Sequence, residues 1–322
     1  MNEFEKKYIL ITGINGFIGQ HIANKLIKEG YNIFGISLED SCVINNENLI
    51  YKKIDITNYK KINQIFKNYD IESVIHLAAI VHQNSKDQLK ELYYNVNYRA
   101  SKNIFKQCIE NNVKKLLFAS TVGVYGEKEE KIIHENFECN PHSVYAKTKL
   151  LAEKFLISIA NNKLNYVIMR LASVYADNFK LNINKRIYIL PQKLAYYFKK
   201  GDYFFNFCSI NNVIDFISEI LKKPDLKSGI YNLSDSRNYN VKQIISLEKK
   251  HRNLKWVIRL PYHISLALIF LYEKIYCKLL KKESIISIYN FKKLFRGTIY
   301  SNIKARKIVK NFKWDIVNTL YK

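Results

Sequence analysis

The residues that interrupt regular structure are scarce in this sequence, which has only 10 glycines and 4 prolines among 322 residues. It contains no low-complexity linker and no internal repeat, which excludes solenoid arrays and Gly/Pro-rich disordered chains. Hydrophobic residues make up 48% of the chain, enough to bury a full core without covalent staples. The length therefore suits one large domain, or a main domain with a smaller lobe.

Cysteines are also few, and no two of them form a C-x-x-C pair. Scattered thiols are typical of a reducing cytosol, and we expect each one to be a small buried apolar group. The histidines lack metal-ligand spacing, which predicts no metal site. Only a short polar segment, residues 1–7, precedes the first apolar run, so we expect no signal peptide and a cytoplasmic location. The cysteines are Cys42, Cys108, Cys139, Cys208 and Cys277.

Acidic residues are outnumbered, 28 against 52 basic ones, and the formal net charge is +24. The lysines are spread along the chain and form no block, so we expect no nucleic-acid partner. The acidic partner that we consider is an anionic membrane surface. The one long apolar run, residues 264–272, is too short to span a bilayer. It either packs in a core or forms one face of a helix that lies on the inner face of a membrane.

Three of the few glycines, Gly13, Gly16 and Gly19, follow one another at three-residue intervals. An apolar strand-like run, residues 8–11, precedes them, and helical spacing follows. Such a turn needs φ > 0 at its first glycine and no side chain at the second, so that backbone N–H groups reach a diphosphate. The third glycine lets the helix lie close to the strand with its positive end toward the phosphates. This stretch predicts a dinucleotide site.

Apolar strands alternate with helical patterns through the first half of the chain. This alternation predicts an α/β fold with a Rossmann-type, doubly wound parallel sheet. The pattern loosens later, so we expect a dinucleotide-binding domain over residues 1–175. Residues 176–322 would form a smaller α/β substrate lobe, with some segments returning to the main sheet. The predicted strands are 32–36, 49–54, 74–77, 116–120 and 166–171, and the predicted helices are near 20–29, 59–68, 88–112 and 146–162.

Tyr145 and Lys149 stand four residues apart and therefore share one face of a predicted helix. A lysine ammonium beside a phenol favours the phenolate and lowers the phenol's pKa. Such a tyrosine can accept or donate a proton on a sugar hydroxyl, and Thr121 at a strand end would hydrogen-bond the same oxygen. Another strand end carries Asp55, which either accepts a hydrogen bond from an adenine amino group or belongs to a helix cap with Thr57 or Asn58.

Six short motifs together resemble the extended short-chain dehydrogenases/reductases, in the sugar epimerase/dehydratase family. The resemblance implies a Rossmann domain that binds NAD(P), a C-terminal lobe that holds an activated sugar, and hydride exchange between a sugar carbon and the nicotinamide. It also implies that Tyr145 is the acid/base, Lys149 the ribose ligand and Thr121 the hydroxyl partner. The motifs are T-G-x-x-G-x-x-G (residues 12–19), D-x-x-N (55–58), H-L-A-A (76–79), N-V-N (95–97), S-T-x-x-V-Y-G (120–126) and Y-x-x-x-K (145–149).

The cofactor implied by the resemblance is NAD, with NADP as the open alternative. NAD enzymes of the family usually carry Asp where Ser37 stands, and Glu39 or Asp40 is the substitute that would repel a 2′-phosphate. Besides a diphosphate-linked sugar, we consider a second copy of the chain, in a homodimer, as a partner. The residues expected to contact the cofactor are Gly13, Asn15, Gly16, Phe17, Ile18, Gly19, Ser37, Asp55, Ile56, Leu77, Ala78, Ala79, Asn97, Ser120, Tyr145 and Lys149.

The activity is narrowed by departures from the family pattern. Dehydratases carry Asp-Glu after the catalytic Thr, but Val122 and Gly123 stand there and cannot move a proton. The sequence therefore predicts a 4-epimerase of a diphosphate-linked hexose or N-acetylhexosamine in surface-polysaccharide synthesis. The alternatives are an NADPH-dependent nucleotide-sugar 4-ketoreductase and a dinucleotide-binding regulator without turnover.

Residues 259–263 resemble a branch with polyprenyl-diphosphate-linked or UDP-linked N-acetylhexosamine enzymes, which leaves open whether the sugar is carried by a nucleotide or a polyprenyl chain. Phe205 and Asn206 stand where the family often has an arginine for the substrate diphosphate.

Overall fold

The computed structural model describes residues 6–81, 87–126, 132–190, 193–280, 288–293, 295, 299–309 and 312–321. Its strands, in chain order, are β1 (Lys7–Thr12), β2 (Asn32–Ser37), β3 (Leu49–Lys53), β4 (Asp70–His76), β5 (Lys115–Thr121), β6 (Ile132–Ile133), β7 (Asn165–Leu171), β8 (Ser173–Tyr175), β9 (Tyr188–Leu190), β10 (Leu194–Phe198), β11 (Phe207–Ser209), β12 (Gly229–Leu233), β13 (Trp256–Leu260) and β14 (Ile299–Tyr300).

The α-helices, in chain order, are α1 (Phe17–Lys28), α2 (Tyr59–Asn68), α3 (Asp87–Tyr93), α4 (Ser101–Glu110), α5 (Val144–Ala160), α6 (Leu181–Ile187), α7 (Ile210–Leu221), α8 (Val241–Arg252), α9 (Tyr262–Leu280), α10 (Ile288–Lys293), α11 (Ile303–Arg306) and α12 (Ile316–Leu320). A π-helical stretch, Tyr94–Ala100, joins α3 to α4, and a 3₁₀ turn, Val122–Tyr125, follows β5.

Seven of the described strands form one parallel sheet in the order β12-β7-β5-β4-β1-β2-β3. The strand order reverses direction between β1 and β4, and in open sheets of this kind ligands bind at the carboxyl edge beside that point. The predicted doubly wound parallel fold is confirmed. Strand β12 pairs with β7, so residues after 175 contribute to the main sheet. The division into domains 1–175 and 176–322 stays a prediction.

Helices cover both faces of the main sheet, as an all-parallel sheet requires. One face packs against α1 and α7 in a cluster that includes Ile22 and Phe216. The other face packs against α2, α4 and α5 in a cluster that includes Ile62 and Leu156. A third cluster, rich in aromatic residues, lies around the three-stranded sheet β13-β10-β9. The strands of the main sheet are thus held between two apolar clusters, separate from the third. This packing fixes the position of the sheet's carboxyl edge.

Two expectations about apolar side chains are only partly met. The thiols of Cys108 and Cys208 are buried, whereas Cys42 and Cys139 are half-buried, and the side chain of Cys277 lies outside the described residues. Helix α9 carries the long apolar run and packs only one side, including Leu266, on the third cluster. No helix within the described part of the chain has the length and apolar composition needed to cross a bilayer.

A buried ion pair joins α5 to the main sheet. The Nη2 atom of Arg170, on β7, lies 2.7 Å from Oε2 of Glu153, and both side chains are at most 4% exposed. The hydroxyl of Ser120, on β5, donates to the same carboxylate, and Arg170 also donates to the carbonyl of Glu135 at 3.2 Å. Because every charged atom has a partner, the pair is satisfied despite its burial. It fixes α5 against the carboxyl ends of β5 and β7.

Removal of this carboxylate is the first test of the fold. Glu153→Gln should lower the free energy of unfolding by about 3–5 kcal/mol, because the Arg170 charge stays buried without its counter-charge. The matched control is Glu72→Gln, which removes the same charge from a solvent-exposed pair with Lys114 and should unfold at the wild-type urea concentration. Equal urea midpoints for both variants would contradict the assigned role of Glu153.

Candidate functional site

The glycine turn after β1 has the geometry that its spacing predicts. Gly13 has φ of +72°, and a Cβ added there would lie 3.0 Å from the backbone of Ala78. A Cβ on Gly19 would lie 2.3 Å from the carbonyl oxygen of Gly13, so only glycine fits. Helix α1 starts after Gly16, and no side chain of the described residues caps it. Its first N–H groups are therefore left for an anion.

The backbone opposite the turn is held by buried side chains of β1 and β4. The hydroxyl oxygen of Thr12 lies 2.7 Å from Nδ1 of His76, whose Nε2 atom lies 2.8 Å from the hydroxyl of Ser101. Thr12 also accepts hydrogen bonds from the N–H groups of Leu77 and Ala78, at 3.2 and 3.1 Å. Burial lowers the pKa of His76 well below its ordinary value, so this histidine is a neutral structural link.

Asn97 holds the protein's own backbone, and its predicted contact with the cofactor stays a prediction. Its Oδ1 accepts from the N–H of Ile80 at 2.8 Å, and its Nδ2 donates to the carbonyl of Ile80 at 2.9 Å. The side chain is fully buried. Asn97 therefore acts as a positioning residue for the segment that carries Ala79, because its amide is already satisfied on both sides.

The end of β2 presents a carboxylate beside the glycine turn. Glu39 accepts from Nδ2 of Asn15 at 3.3 Å, and its pKa is lowered, first by a hydrogen bond from the Ser37 hydroxyl. Asn15 further donates to the carbonyl of Ser41 at 2.8 Å, which fixes this loop. Asp40 is 90% exposed and pairs with Lys53, so Glu39 is the acid that faces the turn.

The segment after β3 resolves the two interpretations of Asp55 in part. Oδ1 of Asp55 accepts from both the N–H and the hydroxyl of Thr57 at 2.8 Å, and Asn58 caps α2 through the N–H of Lys61 at 3.1 Å. The cap interpretation is confirmed for Asn58. Ile56 is buried, and adenine contact by Asp55 stays a prediction.

An aromatic pair covers the start of α1. The ring of Phe17 stacks on Phe179 with centroids 4.2 Å apart and planes 24° from parallel. Ile18, the next residue, is half-buried and packs against the core below α1. Phe179 follows β8, so residues beyond 175 close over the glycine turn, which sequence spacing alone did not indicate.

The three predicted catalytic residues lie on β5 and α5, two elements that pack against each other. Thr121 ends β5, and its hydroxyl accepts from the N–H of Gly123 at 3.1 Å. A Cβ on Gly123 would lie 3.5 Å from Cβ of Ala146, the neighbour of Tyr145 on α5. One turn further along α5, Nζ of Lys149 lies 4.3 Å from the ring centre of Phe118, on β5. The structure thus packs the start of α5, which carries Tyr145 and Lys149, against the end of β5, which carries Thr121.

The electrostatics of this edge differ from the expectation for Tyr145. Burial, with a smaller contribution from Tyr93, raises the pKa of Tyr145 to about 12. Burial also lowers the pKa of Lys149 to about 7, with Glu153 opposing the change. The predicted lowering of the phenol's pKa is wrong for the protein without ligands, because burial disfavours the charged form of both groups.

Ser120 is the second predicted cofactor contact with a different task. It is 2% exposed, and its hydroxyl donates to Glu153, so the side chain secures α5, and its contact with the cofactor stays a prediction. Sequence reasoning missed Glu153, although Tyr145, Lys149 and Glu153 recur at four-residue spacing and hence share one helical face. A buried acid on that face needs a cation, which Arg170 supplies.

Comparison with known proteins agrees with this arrangement. Residues 9–234 match the family model described as "NAD dependent epimerase/dehydratase family". The UDP-glucose 4-epimerase of Caenorhabditis elegans is 28% identical over 51% of this chain and 53% of its own length. YtcB of Bacillus subtilis, described as an uncharacterized UDP-glucose epimerase, is 29% identical over 74% of this chain and 80% of its own length.

Solved structures share the fold. The UDP-glucuronic acid 4-epimerase of Bacillus cereus, in complex with UDP-glucuronic acid and NAD, superposes with a TM-score of 0.73 at 22% identity, over 96% of this chain and 94% of that one. The chain spans about half or less of the length of several curated relatives, from 25% to 53%. The shared fold therefore covers a larger part of this chain than the sequence similarity to these curated relatives does.

The carboxylate at the end of β2 predicts a preference between the two dinucleotides. The wild-type protein should bind NAD more tightly than NADP, because Glu39 repels a 2′-phosphate, and Glu39→Gln should reduce that preference by about tenfold. Calorimetric titration with each dinucleotide measures the ratio. Asp40→Asn removes the same charge one residue away and should leave the ratio unchanged; a shift in that variant instead would assign the selectivity to Asp40.

Proposed function

This chain belongs to the NAD dependent epimerase/dehydratase family, and we propose that it is an NAD-dependent 4-epimerase of a diphosphate-linked hexose or N-acetylhexosamine. The observation that carries the proposal is that the start of α5, with Tyr145 and Lys149, packs against the end of β5, with Thr121. The two positions after Thr121 hold no acid or base, so water elimination has no proton carrier there. The UDP-glucose 4-epimerase named among the relatives supports this choice.

The residues present fit a dinucleotide. The turn after β1 admits only glycine at Gly13 and Gly19, the first N–H groups of α1 have no side-chain cap within the described residues, and Glu39 would accept hydrogen bonds from ribose hydroxyls. Lys149 is 1% exposed, yet its Nζ atom has no hydrogen-bond acceptor within the described residues, which leaves it to the second ribose. When bound, the dinucleotide supplies a nicotinamide that takes up and returns a hydride. The chain itself supplies the binding, the orientation and the proton transfer.

In the proposed reaction Tyr145 exchanges a proton with the sugar's C4 hydroxyl, and Thr121 donates a hydrogen bond to the same oxygen. Thr121 is suited to this because its oxygen already accepts from Gly123, so that its hydrogen points elsewhere. The raised pKa keeps the Tyr145 phenol protonated at pH 7. A cation close to the phenol is therefore required before it accepts a proton, and Lys149 is the residue placed to carry that charge.

The same protonated phenol favours a second candidate, a 4-ketoreductase. A neutral phenol donates a proton directly to a ketone oxygen that receives a hydride, and needs no prior activation. Glu39 opposes this alternative, because the ketoreductase prediction relied on NADPH. A dinucleotide-binding regulator is disfavoured, since a half-buried tyrosine and a buried lysine with strongly shifted pKa values are typical of a working site.

Turnover without added cofactor separates the candidates. Purified protein is incubated with UDP-glucose, UDP-N-acetylglucosamine, UDP-glucuronate and a polyprenyl-diphosphate N-acetylglucosamine, and the C4 epimer is measured by NMR. The 4-epimerase should convert at least one of them with only the dinucleotide that co-purifies. Turnover of 4-keto sugars with stoichiometric NADPH alone would support the ketoreductase. The substrate that is converted also shows whether the protein acts on a nucleotide-linked or a polyprenyl-linked sugar.

Replacement of the phenol tests the acid/base assignment. Tyr145→Phe should lower kcat by about 100- to 10,000-fold, because no other described group is placed to exchange the proton, while NAD binding stays unchanged. Tyr166→Phe is the control, since Tyr166 is the second residue of β7 and lies at the opposite end of that strand from the Thr121 edge. Unchanged turnover in Tyr145→Phe would point to a different acid/base.

We also propose that α9 rests on an anionic membrane surface. Its outward face carries an apolar stripe at helical spacing, Ile264, Leu268, Leu271 and Ile275, each more than half exposed. Lys199, Lys200 and Arg259 line one surface depression with the start of α9. An apolar helical stripe beside cationic side chains is the pattern of interfacial helices, whose cations attract anionic lipids.

Flotation with vesicles tests this membrane contact. Leu268→Glu/Leu271→Glu should bind phosphatidylcholine/phosphatidylglycerol vesicles at least about tenfold more weakly than wild type, because two apolar anchors are lost. Ile157→Glu/Ile303→Glu changes two exposed isoleucines elsewhere by the same charge and should bind nearly as wild type. Equal losses would mean that net charge alone drives binding. A dimer that becomes a monomer only in the first variant would assign the stripe to a second copy of the chain.

A further inference from the structure

A partly buried guanidinium lies between aromatic rings in the C-terminal half of the chain. The Cζ atom of Arg186, near the end of α6, is 4.9 Å from the ring centre of Phe205 and 5.0 Å from that of Phe207. Its Nη2 atom donates to the hydroxyl of Ser173 at 3.1 Å. Both rings are within cation–π distance of the guanidinium, and they contact it without using its N–H donors.

This cation has no counter-charge within the described residues. None of the ion pairs there includes Arg186, and the hydroxyl of Ser173 is a neutral partner. Burial lowers the pKa of Arg186 to about 10, so the group remains charged at neutral pH. An arginine has five N–H donors, and a charge kept away from water without an acid beside it is costly unless a ligand supplies the anion.

The position of Arg186 relates it to the catalytic edge. Ser173, its hydrogen-bond partner, begins β8 two residues after Leu171, and Leu171 pairs in register with Thr121. Tyr300, whose phenol is near enough to oppose the lowering of the pKa of Arg186, stacks on Tyr125 with centroids 5.7 Å apart. Tyr125 lies in the 3₁₀ turn that follows Thr121. The guanidinium is therefore on the same side of the molecule as the predicted acid/base.

We propose that Arg186 binds the diphosphate of the sugar substrate through the donors that Ser173 does not use. The inference rests on the proposed function in one respect, namely that the substrate carries a diphosphate. A planar pair of N–H donors matches two phosphate oxygens, and such charge-assisted pairs are the strong ones. Phe205 and Phe207 keep the fork oriented, and the ligand supplies the missing negative charge. Nucleotide-linked and polyprenyl-linked sugars share this group.

Binding of inorganic pyrophosphate tests the assignment without turnover. Calorimetry is done on protein saturated with NAD, so that the glycine turn is already filled. Arg186→Met should weaken pyrophosphate binding by about 10- to 100-fold, because it removes a charge-assisted pair of hydrogen bonds. Lys185→Met is the matched control, since it removes the same charge from the exposed neighbour on α6 and should bind as wild type.

Two further measurements keep the outcome decisive. Arg186→Lys keeps the charge but not the planar fork, and should show an intermediate affinity even if Arg186→Met does not fold. Thermal unfolding and NAD binding report whether each variant is folded. Wild-type affinity in either Arg186 variant, or no binding by the wild-type protein at millimolar pyrophosphate, overturns the inference. Lost turnover with intact, Arg186-dependent pyrophosphate binding would instead overturn the proposed reaction.

Discussion

A carboxylate and a guanidinium, both almost fully buried, join α5 to the main sheet through Glu153 and Arg170. Helix α5 also carries Tyr145 and Lys149, so this pair sets how both lie relative to the ends of β5 and β7. Strand β5 contributes a second link, because the Ser120 hydroxyl donates to the same carboxylate. Without a full set of partners the pair would cost several kcal/mol. The site is therefore precise only because the charges beneath it are satisfied.

Burial explains why a simple rule about neighbouring charges failed at this site. Spacing placed an amine beside a phenol and predicted a lowered phenol pKa, but burial raises the pKa of Tyr145 and lowers that of Lys149. Both changes favour the neutral forms. Water exclusion thus dominates in the protein without ligands, and a neutral amine stabilises no phenolate. Proton acceptance by Tyr145 therefore depends on a change that returns positive charge to the region near its phenol, such as protonation of Lys149.

The elements that the sequence predicts well are those governed by local geometry. Alternating apolar runs located the strands of the main sheet, and the spacing of Gly13 and Gly19 predicted a turn that only glycine can form. The roles of polar residues near the turn were harder to predict from the sequence. Asn97, for example, was expected to contact a ligand, and its side chain hydrogen-bonds the protein's own backbone. Arg186 escaped notice because its partners, on β8 and β11, come together only in the folded chain.

Two basic side chains, the buried Lys149 and the partly buried Arg186, form no ion pair within the described residues. Glu153, a buried acid on α5, is already engaged by Arg170, and acidic residues are scarce throughout the chain. Basic side chains without a counter-charge at one edge favour anionic ligands, since an anion stabilises their charged forms. A dinucleotide and a diphosphate-linked sugar each supply negative charge and hydrogen-bond acceptors at this edge. Since ligands that bind only the folded state stabilise it, binding and folding stability are coupled through these two side chains.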